Sequence, residues 1–294
     1  MSSVGGSFPS SRKPEPGTVL HPASLCLLLL LPSTVCAQVT VRPHPDVGIA
    51  VAKVSFFDGA VDVGSPDGKW TAAREGSRVR TGDLVRTNAQ ATARVEFPFM
   101  SLVVGPSSVI GVAPSQVLAT LLESGRLEEH AEASDAIKLR TPEAQLRGRG
   151  HVVVRRDGSK TSIMVWDGRF LVQASGHYLT LIGGVGTVVE RGKPLVASSL
   201  PPPPADPRPG PDPLYVAQGE PLSLAWQGTS KRYHVQVFGI DSDEVLLERE
   251  TGEPPLSLLV PWLEGTFRWH VSERDERGLE SRPSHDGLFC FVGK

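Results

Sequence analysis

The chain has 294 residues and is close to electroneutral, with 30 Lys and Arg against 32 Asp and Glu, a formal charge of −2. No basic tail or basic amphipathic stripe occurs, which excludes nucleic acid and anionic lipid as expected partners. The length suits two domains of ordinary size behind a leader. That leader is legible first. Residues 25–31 are a compact apolar run preceded by Arg12 and Lys13 and closed by Pro32 and Ser33. Val35-Cys36-Ala37 then sets small residues where a secretory cleavage site needs them, so residues 1–37 are expected to be a signal peptide cleaved near Ala37. The run is too short to span a bilayer, so no integral membrane span is expected after cleavage. A lipid anchor at Cys36 is disfavoured by Val35 and Ser33 beside it. The mature chain would start at Gln38 with Cys290 as its single cysteine, which permits no internal disulfide. Cys290 sits in an apolar run, 288–292, and reads as a small buried hydrophobe.

From residue 49 onward the chain reads as strands and turns. An apolar-rich run, 49–57, ends at Asp58-Gly59, and a second turn falls at Asp67-Gly68. Ala91, Ala93, Val95 and Phe97 alternate with Thr92, Arg94 and Glu96, the pattern of a strand with one buried face. Three short apolar runs follow, 101–104, 108–112 and 117–122, broken by Gly105-Pro106 and Pro114. The charged stretch 128–135 reads as a solvated loop. Between Thr141 and Gly192 apolar runs recur about every ten residues. Asp157-Gly158 and Asp167-Gly168 separate the first three, and each predicts a tight hairpin.

These residues carry a resemblance. Gly76, Gly82-Asp83-Leu84-Val85-Arg86-Thr87, Gly125, Thr141-Pro142, Leu146-Arg147-Gly148 and Asp167-Gly168-Arg169-Phe170-Leu171-Val172 together resemble the FecR domain across most of residues 51–194. The resemblance implies a β-rich, solenoid-like extracytoplasmic module. In the namesake regulators such a module reads a partner protein and passes the signal across the inner membrane to a sigma factor. Those regulators carry a sigma-binding segment and a membrane helix ahead of the domain, where this chain has the export signal. The glycines are expected to serve backbone geometry.

A proline-rich stretch, 197–213, reads as an extended, semi-rigid linker. It divides a FecR-like domain at 45–196 from a second domain at 214–294. In the second, Leu222–Trp226, Tyr233–Phe238 and Thr266–Val271 alternate cleanly, which predicts a small β-sandwich. The layout resembles fibronectin type III-like and related immunoglobulin-like modules, with Trp226, Tyr233 and Trp269 as core aromatics. Phe267 stands where a tyrosine corner would be. The fold class expected is therefore all-β, a β-solenoid-like FecR domain followed by a small β-sandwich.

Chemistry-bearing patterns are sparse. Gly183-Gly184-Val185-Gly186 lacks the ending of a phosphate loop and reads as a turn between strands. Asp241, Asp243 and Glu244 lack the calcium-loop pattern and read as a solvated hairpin tip. His151, His177, His234 and His270 fall singly in strands and read as surface or edge residues. Trp70, Trp166 and Trp262 become sugar platforms only if exposed. No serine-hydrolase elbow occurs. The expectation is thus no catalytic residues, no metal site and no cofactor. The function expected is a non-enzymatic exported protein, periplasmic or extracellular, that binds or scaffolds an envelope protein or glycan. The alternatives are an extracytoplasmic sensor acting on transcription through a membrane regulator, and a glycan-active enzyme.

Overall fold

A computed structural model describes residues 50–98, 100–112, 120–131, 137–242, 245–260 and 264–293. The expected signal peptide, Asp243, Glu244, Trp262 and residues 132–135 lie outside them. The protein is all-β. Eight short strands come first: β1 (Ala50–Asp58), β2 (Val61–Gly64), β3 (Trp70–Ala72), β4 (Arg78–Arg80), β5 (Leu84–Thr87), β6 (Thr92–Phe97), β7 (Met100–Val104) and β8 (Val109–Val112). Longer ones follow: β9 (Thr120–Ala131), β10 (Ile137–Arg140), β11 (Gln145–Asp157), β12 (Lys160–Ala174), β13 (His177–Ile182), β14 (Val185–Glu190) and the short β15 (Ser198–Ser199). All fifteen belong to one hydrogen-bonded sheet without a closed barrel.

The long strands bend and change partners, and glycines mark the bends. Residues 120–124 of β9 pair with β8, whereas 127–130 pair with β7. Between them Gly125 has φ +87, and a Cβ there would sit 2.2 Å from Ser108 Oγ. Likewise β12 pairs with β14 over 160–165 and with β13 over 169–174. The fork at β9 sends one arm through β7, β6, β1 and β4 and the other through β8, β5, β2 and β3. One apolar core contains buried residues of both arms: Val54, Val79 and Val95 from the first, Val61, Val85 and Ile110 from the second. Alternation puts Ala93, Val95 and Phe97 of β6 inward, as the sequence predicts.

Two expectations need correction here. Asp157-Gly158 does turn a hairpin, with Asp157 opposite Lys160. Asp167-Gly168 does not; it lies within β12, where Gly168 (φ +84) faces Gly150 (φ +117) across the β11 pairing. The two strands pass so closely at this bend that a Cβ on Gly168 would lie 2.0 Å from Arg149 O. A bend and a turn both demand positive φ, so Asp-Gly signals either. The Gly168→Ala variant is expected to lose more than about 2 kcal/mol, because strain at positive φ adds to an overlap with backbone. Gly184→Ala is the control, with φ +84 but nothing within 4 Å of its Cβ. It should lose only about 1–2 kcal/mol by urea unfolding, the backbone cost alone. The second correction concerns 128–135, since Glu128–Ala131 complete β9 rather than forming a solvated loop.

The remaining strands build the sandwich. They are β16 (Ala205–Arg208), β17 (Leu214–Ala217), β18 (Leu222–Gln227), β19 (Tyr233–Gly239), β20 (Val245–Thr251), β21 (Leu256–Leu258), β22 (Gly265–Glu273) and β23 (Gly287–Val292). A three-stranded sheet, β16-β18-β21, faces a five-stranded one, β17-β23-β22-β19-β20, with β17 parallel to β23. This is the sheet division of immunoglobulin-like sandwiches. Trp226, Tyr233 and Trp269 lie buried in its core, and Phe267 packs against Phe289.

The proline-rich stretch is not a free spacer. Ala205–Arg208 pairs with β18, Leu288 N donates to Gly210 O, and the Trp269 indole N–H donates to Pro209 O at 3.1 Å. Prolines keep their carbonyls, so the stretch serves as acceptor along a sheet edge. The described residues from Ala50 onward fall in one compact unit. Leu279, from the sandwich, packs into a small buried cluster with Val153, Met164 and Trp166.

Candidate functional site

Strand β19 shows where the charged groups of this chain converge. An isolated sandwich strand buries one face, yet Tyr233 through Phe238 are all buried. Tyr233, Val235 and Val237 fill the sandwich core. His234 and Gln236 point the other way, His234 to Glu280 of its own module and Gln236 to Glu128 of the first sheet. The cluster at that junction takes Thr92 from β6, Arg126 and Glu128 from β9, and His151 and Arg155 from β11. Facing them are His234 and Gln236 from β19, Glu248 from β20, Ser272 from β22, and Glu280.

Arg126 is the centre, with its side chain 1% exposed. Its Nη2 lies 3.0 Å from Glu128 Oε2 and 3.1 Å from Glu280 Oε1, and its Nη1 lies 3.6 Å from Glu248 Oε1. His234 sits between the same two sandwich carboxylates, against Glu248 Oε1 through Nε2 and 3.3 Å from Glu280 Oε1 through Nδ1. Hydroxyls complete the shell. Thr92 Oγ1 donates to Glu248 Oε2 at 3.2 Å and Ser272 Oγ to Glu280 Oε1 at 2.8 Å. Arg155 Nη2 lies 3.9 Å from Glu280 Oε2. Gln236 Nε2 donates to Glu128 Oε2 at 3.4 Å, and His151 Nε2 is 2.8 Å from Glu128 Oε1.

Burial opposes the charges of Arg126, Glu128, His234, Glu248 and Glu280, and their partners outweigh it. Burial alone would lower the Arg126 pKa, but Glu280, Glu128 and Glu248 raise it above the ordinary guanidinium value. Burial would raise Glu280, but Arg126 and His234 hold it well below the usual carboxylate range. Glu128 and Glu248 are lowered in the same way, chiefly by Arg126 and by His234 respectively. For His234, burial and Arg126 act downward, and Glu248 and Glu280 win and raise it. Three cations (Arg126, His234 and Arg155) thus face three carboxylates, a balance that requires protonated His234. His234 and Glu248 have the makings of an acid–base pair. Their side chains are only 4% and 0% exposed, and each carboxylate is already engaged. The arrangement is an ion lattice that joins two sheets.

The other singled-out residues disperse. His234 is buried rather than an edge residue. His151 keeps a half-exposed ring at 4.6 Å from Trp166, His177 is exposed, and His270 bonds Gln236 Oε1 at 2.9 Å. Trp166 is 4% exposed and belongs to the junction core, while Trp70 is covered by the Arg86 guanidinium at 4.2 Å. Gly183-Gly184 turns between β13 and β14. Cys290 corrects its expectation: β23 turns Phe289 and Phe291 inward and leaves the free thiol half-buried on the other face. Among the described residues no group of three or more His, Cys, Asp or Glu is placed to hold a metal ion. No described helix is long and apolar enough to cross a membrane.

The motif residues carrying the FecR resemblance serve the fold. Thr141 Oγ1 accepts the amides of Ala144 at 3.0 Å and Glu143 at 3.3 Å, closing the β10–β11 corner. Glu143 in turn takes a bidentate pair from Arg156 at 2.8 and 2.9 Å. Asp83 accepts the Arg80 amide at 2.7 Å. Sequence reasoning missed Arg126, Glu128, Glu248 and Glu280. The one available signal was Glu280 within the Gly278-Leu279-Glu280-Ser281 run, where Leu279 and Glu280 both enter the junction.

Fold and junction together define an all-β protein of two modules joined by a buried ionic seam. No family model matches the sequence, and no curated protein does. Among solved structures, two crystal structures of a candidate anti-sigma factor from Parabacteroides distasonis ATCC 8503 are similar at 13% identity, with TM-scores of 0.36 and 0.35. The match covers 40% of this chain and 59% of that one. A multidomain segment of titin is similar at 11% identity, covering 82% of this chain and 95% of that one, with a TM-score of 0.26.

Proposed function

We propose that this is a non-enzymatic exported protein that binds or scaffolds a component of the bacterial envelope, protein or glycan, and that its two β-modules act as one recognition body. The observation that supports this reading is the junction itself. The groups best suited to chemistry, His234, Glu248, Glu280 and Arg126, are consumed in holding one module against the other. A rigid seam of that kind lets a partner bind across two modules without the entropy of ordering a linker. The reading takes residues 1–37 as an export signal, which favours a partner outside the cytoplasm.

Proximity cross-linking of the tagged mature protein in its native envelope tests the proposal. The expected result is enrichment of the same specific component by cross-linkers placed on either module. Enrichment no greater than that of an unrelated exported β-protein overturns it. Capture of a membrane regulator would replace the scaffold reading with that of an extracytoplasmic sensor.

A further inference from the structure

The outer face of strands β10–β13 collects cations. Pairing register sets Arg140 beside Gln145, Gln173 and Tyr178, then Lys138 beside Arg147, Leu171 and Thr180, then Arg149 beside Arg169 and Ile182. These rows follow one another along the strands in steps of two residues, about 7 Å each. The alternate residues Leu139, Leu146, Phe170, Val172 and Leu181 point into the core, so the five cations share the opposite face. Arg140, Arg147, Arg149 and Arg169 are exposed and Lys138 is half-buried, and no ion pair joins any of them to a described carboxylate. Glu123 on β9 and Asp167 on β12 adjoin the face at its two ends without pairing to it, and Glu143 is held by Arg156. Like charges directly opposite each other cost a sheet stability. Here Lys138 opposes Arg147 and Arg149 opposes Arg169, two such pairs with no described anion to offset them. No run of the sequence displays this, because the cations come from three strands and meet only by register.

A recess of about 350 Å³ opens on this face. Lys138, Arg140 and Arg147 line it with Gln145, Gln173 and Tyr178, and no carboxylate does. We propose that the face binds an acidic oligosaccharide, whose carboxylate or sulfate groups are received by the cation rows. Guanidinium forks match such oxyanions with paired hydrogen bonds. Gln145 and Gln173 each offer donors and an acceptor, which suits sugar hydroxyls. Tyr178, 63% exposed, supplies an aromatic surface for the apolar side of a sugar ring. Other polyanions fit less well. A bilayer surface is too flat to enter the recess. Successive bases need successive aromatics, and Tyr178 is the one exposed aromatic among the described residues of this face. An acidic peptide gains most from a free strand edge or from apolar pockets. The cations lie on β10, β11 and β12, which are paired on both sides, and Leu139 and Leu146 beneath the recess are buried. The inference rests on the envelope-binding reading and names the ligand class of its first module.

Titration calorimetry of the mature protein with oligogalacturonate and sulfated dextran tests it, with neutral dextran, poly-glutamate and phosphatidylglycerol vesicles in parallel. At least one anionic glycan should bind more tightly than the other three probes, and the better of the two tells carboxylate from sulfate. Raising salt should weaken binding. Arg147→Gln/Arg149→Gln should lose about tenfold or more in affinity, the loss of two charge-assisted contacts. The same variant should unfold in urea at or above the wild-type midpoint, because facing like charges are relieved. Tyr178→Ala should weaken glycan binding severalfold and leave the weaker poly-glutamate binding as it was. Lys231→Gln/Arg232→Gln removes as much charge from exposed positions on the sandwich and should bind as wild type. Equal binding of neutral dextran, tighter binding of poly-glutamate or vesicles, or no binding of either anionic glycan overturns the proposal. So does unchanged affinity or a lowered midpoint in the double arginine variant. Failure here with a specific envelope protein still captured by cross-linking would remove this face and leave the proposed function standing.

Discussion

Replacing Arg126 with methionine is expected to cost about 3–5 kcal/mol of stability, because it strands buried carboxylates without their central cation. Glu248 and Glu280 have no route to water, with side chains 0% exposed, so desolvation cannot be relieved by a small shift. The loss should also have a shape. The wild-type protein is expected to unfold in urea as one transition, and Arg126→Met as two, the sandwich and the forked sheet parting at the seam. Removing a carboxylate together with the arginine restores the balance. Arg126→Met/Glu280→Gln leaves His234 paired with Glu248, and Glu128 held by His151 and Gln236. The double variant should therefore be more stable than Arg126→Met alone, by a coupling of about 1–3 kcal/mol in a double-mutant cycle. A loss below about 1 kcal/mol for Arg126→Met, or strictly additive effects, would show that the apolar contacts of Leu279 hold the modules and the ions are passengers.

Why the seam escaped the sequence has a physical reason. Strands were legible wherever one face is apolar: β6, β18, β22 and β23 show the period of two that their burial follows. The predicted core aromatics of the sandwich are its core. An interface made of charged side chains leaves no such trace, since His234 and Gln236 look the same facing water or facing Arg126. Burial on the second face of β19 is a tertiary fact, as is burial of Met164 and Trp166 on the second face of β12. Glycine is ambiguous in a related way. Gly158 ends a strand and Gly168 bends one, and both carry φ > 0 after an aspartate. What separates them is the backbone passing 2.0 Å from where a Cβ would be, which depends on the partner strand. No His or carboxylate motif is clustered along the sequence. The charges do converge, but from four strands and a loop, at spacings no local motif can show.

Glu129 gives the second large effect, through pH. It follows Glu128 on β9 and therefore points to the opposite face, into the core of the forked sheet, opposite Leu102 and Val152, which are fully buried. Its side chain lies in a residue 1% exposed, and neither carboxylate oxygen meets a donor among the described residues. Burial alone pushes its pKa up to about 8. In the folded protein it stays protonated up to that pH, while in the unfolded chain it ionises near 4.5. The folded state therefore holds one more proton between these values, and stability must fall as pH rises through the window. The slope is about 1.4 kcal/mol per pH unit, and the loss from pH 4.5 to 8 is roughly 5 kcal/mol. His234, whose folded pKa is also raised, adds to the decline only above its ordinary value of 6.5. The interval from pH 5 to 6.5 thus isolates Glu129, because the lowered carboxylates of the seam are ionised there in both states. Urea unfolding across that interval should show the slope in the wild-type protein and its disappearance in Glu129→Gln. The two proteins should differ little at pH 5, and the glutamine variant should be more stable by several kcal/mol at pH 8. A wild-type curve flat from pH 5 to 6.5 would mean that Glu129 reaches a partner or water, and that the core of the forked sheet is open at this strand.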